Sequence, residues 1–217
     1  MSNMSESGSL IELSKEISGK KVLIKCEEFL KDQGNWLLSV FEKEVADKIC
    51  DDLKIQVGFT MFIFKDKGDY YEVVIPDYSK DPFKDTTENI SISLILQFQL
   101  NETVKKLDVS YEDIAFDDEL LLLSKARNAD NIYLERSKNY GKGQSGWYIG
   151  AVNMTEENPK PEKGNGESIA VCDILKFRPD LLKLLALPKG YIITIIHNEI
   201  VEIMDGDSKI VYKKIEN

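Results

Sequence analysis

Ile132-Tyr133-Leu134-Glu135-Arg136, followed after a glycine-rich loop by Ser145-Gly146-Trp147-Tyr148-Ile149-Gly150, is the pair of segments on which the reading of the fold turns. Alternation in the first segment sends Ile132, Leu134 and Arg136 to one side of an extended chain and Tyr133 and Glu135 to the other. The second holds one of only two tryptophans in 217 residues, set between glycines in a run that reads as a strand. Arg136 shares a side with aliphatic residues, and a guanidinium withdrawn from water needs a partner, so an ion pair with a carboxylate is expected there. Glu135 and Arg136, beside Trp147 and Tyr148, are also candidate lining for a pocket on one sheet face, although a residue as large as Trp is more often core.

Downstream, Ser168–Cys172 reads as a short strand and Asp173–Leu185 as helical with a break at Pro179. Leu187-Pro188-Lys189-Gly190 is a turn. Tyr191–Ile196, Glu199–Met204 and Lys209–Ile215 read as strands, and Thr155–Glu167 as a long charged loop. Upstream, Trp36, Leu37, Val40, Phe41, Val45 and Ile49 recur at helical spacing after Gly34-Asn35. Ile55–Phe64 and Tyr70–Ile75 are rich in β-branched and aromatic residues and flank a hairpin loop. Asp85-Thr86-Thr87-Glu88 has capping-box form, which predicts a helix from Thr86 to Leu107 with Ile92, Leu96, Thr103 and Leu107 on one face. Asp117-Asp118-Glu119 is placed to start another helix, Leu120–Asn128. The fold class that follows is α+β: two small halves, each with helices packed on a mostly antiparallel sheet. The expected division is a disordered or loosely packed lead at 1–20, an acidic domain at 21–116 and a second domain at 117–217.

The net charge is −10. Residues 1–120 carry 25 acidic against 14 basic side chains, and residues 121–217 carry 13 against 14. Such a surface repels phosphates, which argues against nucleic acid and anionic membranes as partners and favours a basic protein partner, or solubility alone. No apolar run approaches the length of a membrane span. Met1–Ser9 is polar and lacks the layout of a secretory signal, so a cytoplasmic location is expected. Cys26, Cys50 and Cys172 are far apart and fit free thiols.

The chemistry-bearing patterns are few. Gly141-Lys142-Gly143-Gln144-Ser145-Gly146 matches a dinucleotide-binding signature in letters, but a strand follows it where the mechanism needs a helix, so it reads as a hairpin loop. His197 is the single histidine, which rules out a two-histidine metal site within the chain. Asp77, Asp81 and Asp85 lack the calcium-loop pattern; the first two read as turn formers and Asp85 as a helix cap. No cofactor and no catalytic pair is indicated, and the chain is read as a non-enzyme. Asp108–Glu119, with six acids, no base and interleaved aromatics, is the candidate partner-binding surface. Asp108, Tyr111, Glu112, Asp113, Asp117 and Asp118, with Arg136 and Trp147, are the candidate site residues. A solvated linker is the competing reading of the acidic stretch.

Ile132–Arg136, Ser145-Gly146-Trp147, Asp173-Ile174-Leu175 with Pro179-Asp180-Leu181-Leu182, and Leu187-Pro188-Lys189-Gly190 occur in an order that resembles a bacterial domain first catalogued as of unknown function. That domain was later grouped, as number thirty-three, among the immunity proteins of polymorphic toxin systems. Upstream, Gln56-Val57-Gly58, Tyr71–Tyr78, Asp81-Pro82-Phe83 and Asp85–Glu88 are similar to the N-terminal part of longer members, so the resemblance spans roughly residues 30 to 205. One position departs from it: Gln144 stands where the family carries Asp before Ser-Gly-Trp. The resemblance implies a cytosolic protein that binds and neutralises a cognate protein toxin, one that is basic if the acidic surface takes part. It brings no catalytic residues. The alternative is a non-enzymatic ligand- or peptide-binding regulatory module, with the loop Lys138–Gly146 acting as a lid over Trp147.

Overall fold

The structure, a computed structural model, describes residues 8–153, 160–161 and 166–215. The start of the expected lead, residues 1–7, and most of the loop expected over Thr155–Glu167 lie outside the described residues. The chain forms two compact units, Met1–Phe98 and Gln99–Asn217. Both are α+β. No helix among the described residues is long and apolar enough to cross a membrane.

The first unit begins with β1 (Leu10–Ile17) and β2 (Lys20–Glu27), an antiparallel pair in register from Leu10↔Glu27 to Ile17↔Lys20. Residues 10–17 therefore differ from the expected loose lead. The reason is local: Ser18 and Gly19, with φ of 48° and 74°, close the two-residue turn that matches strand twist, and alternate residues of β1 pack toward the core. Next comes α1 (Lys31–Val45), which starts before Gly34 and buries Leu37, Leu38, Phe41 and Val45. Trp36 belongs to the expected apolar stripe but lies outside it, 46% exposed. β3 (Lys54–Val57), β4 (Thr60–Asp66) and β5 (Tyr71–Pro76) follow; the single strand expected over Ile55–Phe64 is broken at Gly58, whose φ is +57°. The sheet order is β1-β2-β5-β4-β3, and the β2–β5 pair is parallel because α1 lies between them in the chain. Phe41 meets Phe62 and Phe64 edge-on at 5.6 and 5.0 Å, at the centre of the core.

The capping-box expectation fails. Thr86 and Thr87 form β6, which pairs with the end of β5, and the helix α2 (Ser91–Lys106) starts later. Asp85 Oδ2 accepts from the Asp81 amide at 3.2 Å, and the Asn89 side chain accepts from the Ser91 amide at 3.0 Å. Sheet pairing of the two threonines outweighs a cap worth about 1 kcal/mol. Asp77 and Asp81 are turn formers, as expected: each accepts a hydrogen bond from the amide two residues on. The boundary between the units falls within α2, so the acidic stretch Asp108–Glu119 belongs to the second unit.

In the second unit β7 (Glu119–Leu123) replaces the helix expected from Leu120, and only a short 3-10 segment, Ser124–Asn128, follows it. From Glu119 to Leu122 exposed and buried residues alternate, with Leu123 buried as well, a period of two that a run of four leucines hides from a reading for helix. β8 (Ile132–Arg136) and β9 (Gln144–Asn153) fall where the sequence puts them. β10 (Lys160–Pro161) pairs with β9, and β11 (Gly166–Ala170) pairs with β7. Two 3-10 segments, Val171–Lys176 and Pro179–Leu184, take the place of the Pro-broken helix. β12 (Ile192–Ile196), β13 (Glu199–Met204) and β14 (Ile210–Lys213) complete a sheet of order β11-β7-β9-β8-β12-β13-β14. One register row, Leu122–Ile149–Leu134–Ile193–Ile203, is buried throughout and defines the core face.

Candidate functional site

Strand alternation carries Arg136 onto that core face as the sequence implies, and it is 1% exposed. The expected carboxylate is not its partner. Its guanidinium donates to four main-chain carbonyls: Nε to Ser145 at 3.1 Å, Nη1 to Leu185 at 3.1 Å and Leu187 at 2.6 Å, and Nη2 to Asp113 at 3.0 Å. Carbonyl dipoles supply negative potential without adding a second buried charge that must itself be desolvated. Burial depresses the Arg136 pKa, while Tyr140 and Glu112 act in the opposite sense. The Tyr140 ring lies 5.4 Å from the guanidinium carbon and the Trp147 ring 5.7 Å.

Trp147 is core, 1% exposed, and its indole N–H donates to the Leu185 carbonyl at 2.8 Å. Ser145 Oγ donates to the Glu119 carbonyl and accepts from the Trp147 amide, which fixes the entry to β9. Gly146, at φ +76°, lets the Tyr140 ring approach so closely that a Cβ there would stand 2.3 Å from it. Gln144 Oε1 accepts from the Gly141 amide at 3.0 Å, so the residue that departs from the family pattern caps the turn of its own loop. The glycine-rich stretch leads into β9 and presents no helix N-terminus to a pyrophosphate.

The acidic stretch is packed and is not a solvated linker. Ile114, Ala115 and Phe116 are buried, and the Glu112 amide donates to the Ala186 carbonyl. Glu112 pairs with Lys189 at 3.3 Å and accepts from the Tyr140 hydroxyl at 3.2 Å. Asp118 accepts from the Ala115 amide. Two of the candidate acids are thus engaged in holding the stretch in place, whereas Asp108, Asp113 and Asp117 have exposed side chains and Tyr111 is half-buried. The site residues fall into a buried set around Arg136 and an exposed set of carboxylates. His197, with Asn198, makes the two-residue turn between β12 and β13, both at positive φ. No group of three or more His, Cys, Asp or Glu among the described residues is arranged to hold a metal ion.

Ser145, the Leu185–Leu187 carbonyls and Gly190, whose amide donates to the Arg136 carbonyl, all converge on Arg136. Comparison with protein-family models matches residues 99–206 to one description. Residues 99–206 match the Imm33-like domain. The match begins one residue after the first unit ends, so the first unit takes no part in it. Neither the curated proteins nor the solved structures compared with the chain include a match. Within the matched residues the motifs that carry the resemblance, Ser-Gly-Trp and Leu-Pro-Lys-Gly, are parts of the scaffold that surrounds one buried arginine. The sequence flags them, but main-chain acceptors leave no mark in it, so their common target was hidden.

Proposed function

We propose that this chain is an immunity-type protein that binds a cognate protein toxin in the bacterial cytoplasm and neutralises it by occupying its active surface, without catalysis of its own. The Imm33-like domain at residues 99–206 is the observation that carries this reading. The charge supports a basic toxin. Counted by unit, residues 1–98 hold 18 acids to 12 bases and residues 99–217 hold 20 to 16, so both units are acidic. Asp108, Asp113 and Asp117 are the exposed carboxylates of the candidate stretch available to steer such a partner.

Co-purification from the native host at low salt, with mass spectrometry and high-salt elution, tests the reading. The expected result is one basic protein held stoichiometrically, with affinity that falls as ionic strength rises. Reversal of Asp108, Asp113 and Asp117 to lysine is expected to weaken that complex and flatten its salt dependence. Unchanged affinity would remove the acidic surface from the account. The rival reading, a ligand- or peptide-binding module with the loop Lys138–Gly146 as a lid, would have to use a surface other than the indole of Trp147, which is buried with its N–H bonded to the Leu185 carbonyl.

A further inference from the structure

The face of the second unit's sheet opposite its core carries its own register row: Leu121–Tyr148–Glu135–Ile192–Met204, on β7, β9, β8, β12 and β13 in turn. Adjacent strands stand about 4.8 Å apart, so the row runs for roughly 19 Å. Four of its five members are apolar or aromatic, and Leu121 is 50% exposed in the interior of the sheet. At the centre stands one exposed carboxylate, Glu135, with Tyr148 opposite it on one side and Ile192 on the other.

The neighbouring outward row meets this situation differently. There Thr194 faces Glu202, and Glu202 faces Lys213, with the two charges 3.6 Å apart. Glu135 has no ion-pair partner among the described residues. The two cations at the edge of its groove are committed elsewhere: Arg136 to its four carbonyls, and Lys138 to the Gly206 carbonyl at 2.5 Å. The groove has a volume of about 630 Å³ and takes in Glu119, a second exposed carboxylate, at the β7 end. A void of that size suits a side chain or small ligand.

We infer that this row is a receptor slot for an arginine or lysine side chain of the protein partner, with the aliphatic stem lying on Leu121, Tyr148 and Ile192 and the cation meeting Glu135. Long basic side chains pair an apolar stem with a charged head, which is the pattern the row presents in complement. The identity of the partner as a toxin rests on the proposed function; the chemistry of the slot does not.

The test is an amide-resolved NMR titration of the full chain with n-butylguanidinium and with its neutral near-isostere n-butylurea. The guanidinium is expected to shift the amides of Leu121, Tyr148, Glu135 and Ile192 saturably and to bind about fivefold tighter than the urea. Glu135→Gln, a change at an exposed position whose spectrum also reports folding, should abolish that preference, and Leu121→Ser should weaken both probes. Equal affinity of the two probes, shifts elsewhere, or a preference that survives E135Q would overturn the slot. With a toxin that the wild type neutralises, E135Q should raise Kd at least about tenfold. An unchanged Kd would overturn the slot as a docking point and leave the toxin reading standing. A wild type that binds no toxin, with the probe result intact, would overturn the toxin as the source of the cation.

Discussion

Arg136 shows what one residue position can and cannot disclose in advance. Its side of the strand was legible from Ile132, Leu134 and the alternation between them. Its partners were not, because any sequence can present a carbonyl and the four used here come from Asp113, Ser145, Leu185 and Leu187. The planar fork is what serves all four at once. Arg136→Lys keeps the charge but offers one ammonium to acceptors spread around a plane, so it should destabilise the second unit by about 3 kcal/mol. Unfolding followed by fluorescence in a Trp36→Phe background, where Trp147 is the only tryptophan, measures this; a loss under about 1 kcal/mol would remove the carbonyl cage from the account. The cysteines make a second residue-scale prediction. Burial, aided by Asp173, pushes the Cys172 thiol up to about 11, and Cys26 is buried and raised as well, while Cys50 is exposed. A thiol-reactive chromophore at pH 8 should label one cysteine of the native protein quickly and the other two only on unfolding.

At the scale of elements, local sequence signals give way where they conflict with strand pairing. Asp85–Glu88 has the letters of a capping box, yet Thr86 and Thr87 are taken by the edge of β5. Glu119–Leu123 has acids before a leucine run, yet it lies between β11 and β9, where an extended chain satisfies its amides on both sides. β8, β9, β12 and β13 were legible because β-branched and aromatic residues fill them and clear turns bound them. The strand assignment of Leu120–Leu123 has a direct consequence: Leu122→Lys should unfold the second unit, whereas Leu121→Lys should change stability by less than about 1 kcal/mol. Equal effects would contradict the strand.

The first unit offers an electrostatic test of the same kind. Glu72 on β5 is buried; burial alone would raise its pKa, but Lys25 at 3.0 Å and Lys67 at 3.1 Å outweigh this and hold it below the usual carboxylate range. A group whose folded pKa is lowered contributes stability above its unfolded value, near 4.3, and loses it as pH falls through the folded one. Glu72→Gln should therefore cost about 1 to 3 kcal/mol at pH 7 and flatten the decline of first-unit stability below about pH 4. A slope unchanged by the substitution would assign the acid sensitivity to other carboxylates.

For the whole molecule, the α+β fold class could be read from the sequence, whereas the division of the chain at Phe98/Gln99 lies within a helix and leaves no mark in composition or charge. A twelve-residue stretch with six acids and no base looks like a linker when charge is the only guide. Here Ile114 and Phe116 anchor it, and Arg136 holds its Asp113 carbonyl. The functional reading belongs to this scale too, since it rests on a domain and on a surface, and on no single reactive group. The most direct measurement is growth of cells that express candidate toxin domains encoded beside this chain's gene, with and without the chain, combined with the stoichiometry of any complex purified from them. The account predicts restored growth with one toxin and a tight one-to-one complex that weakens at high salt. Growth arrest unrelieved for every candidate, with no complex recovered, would contradict it.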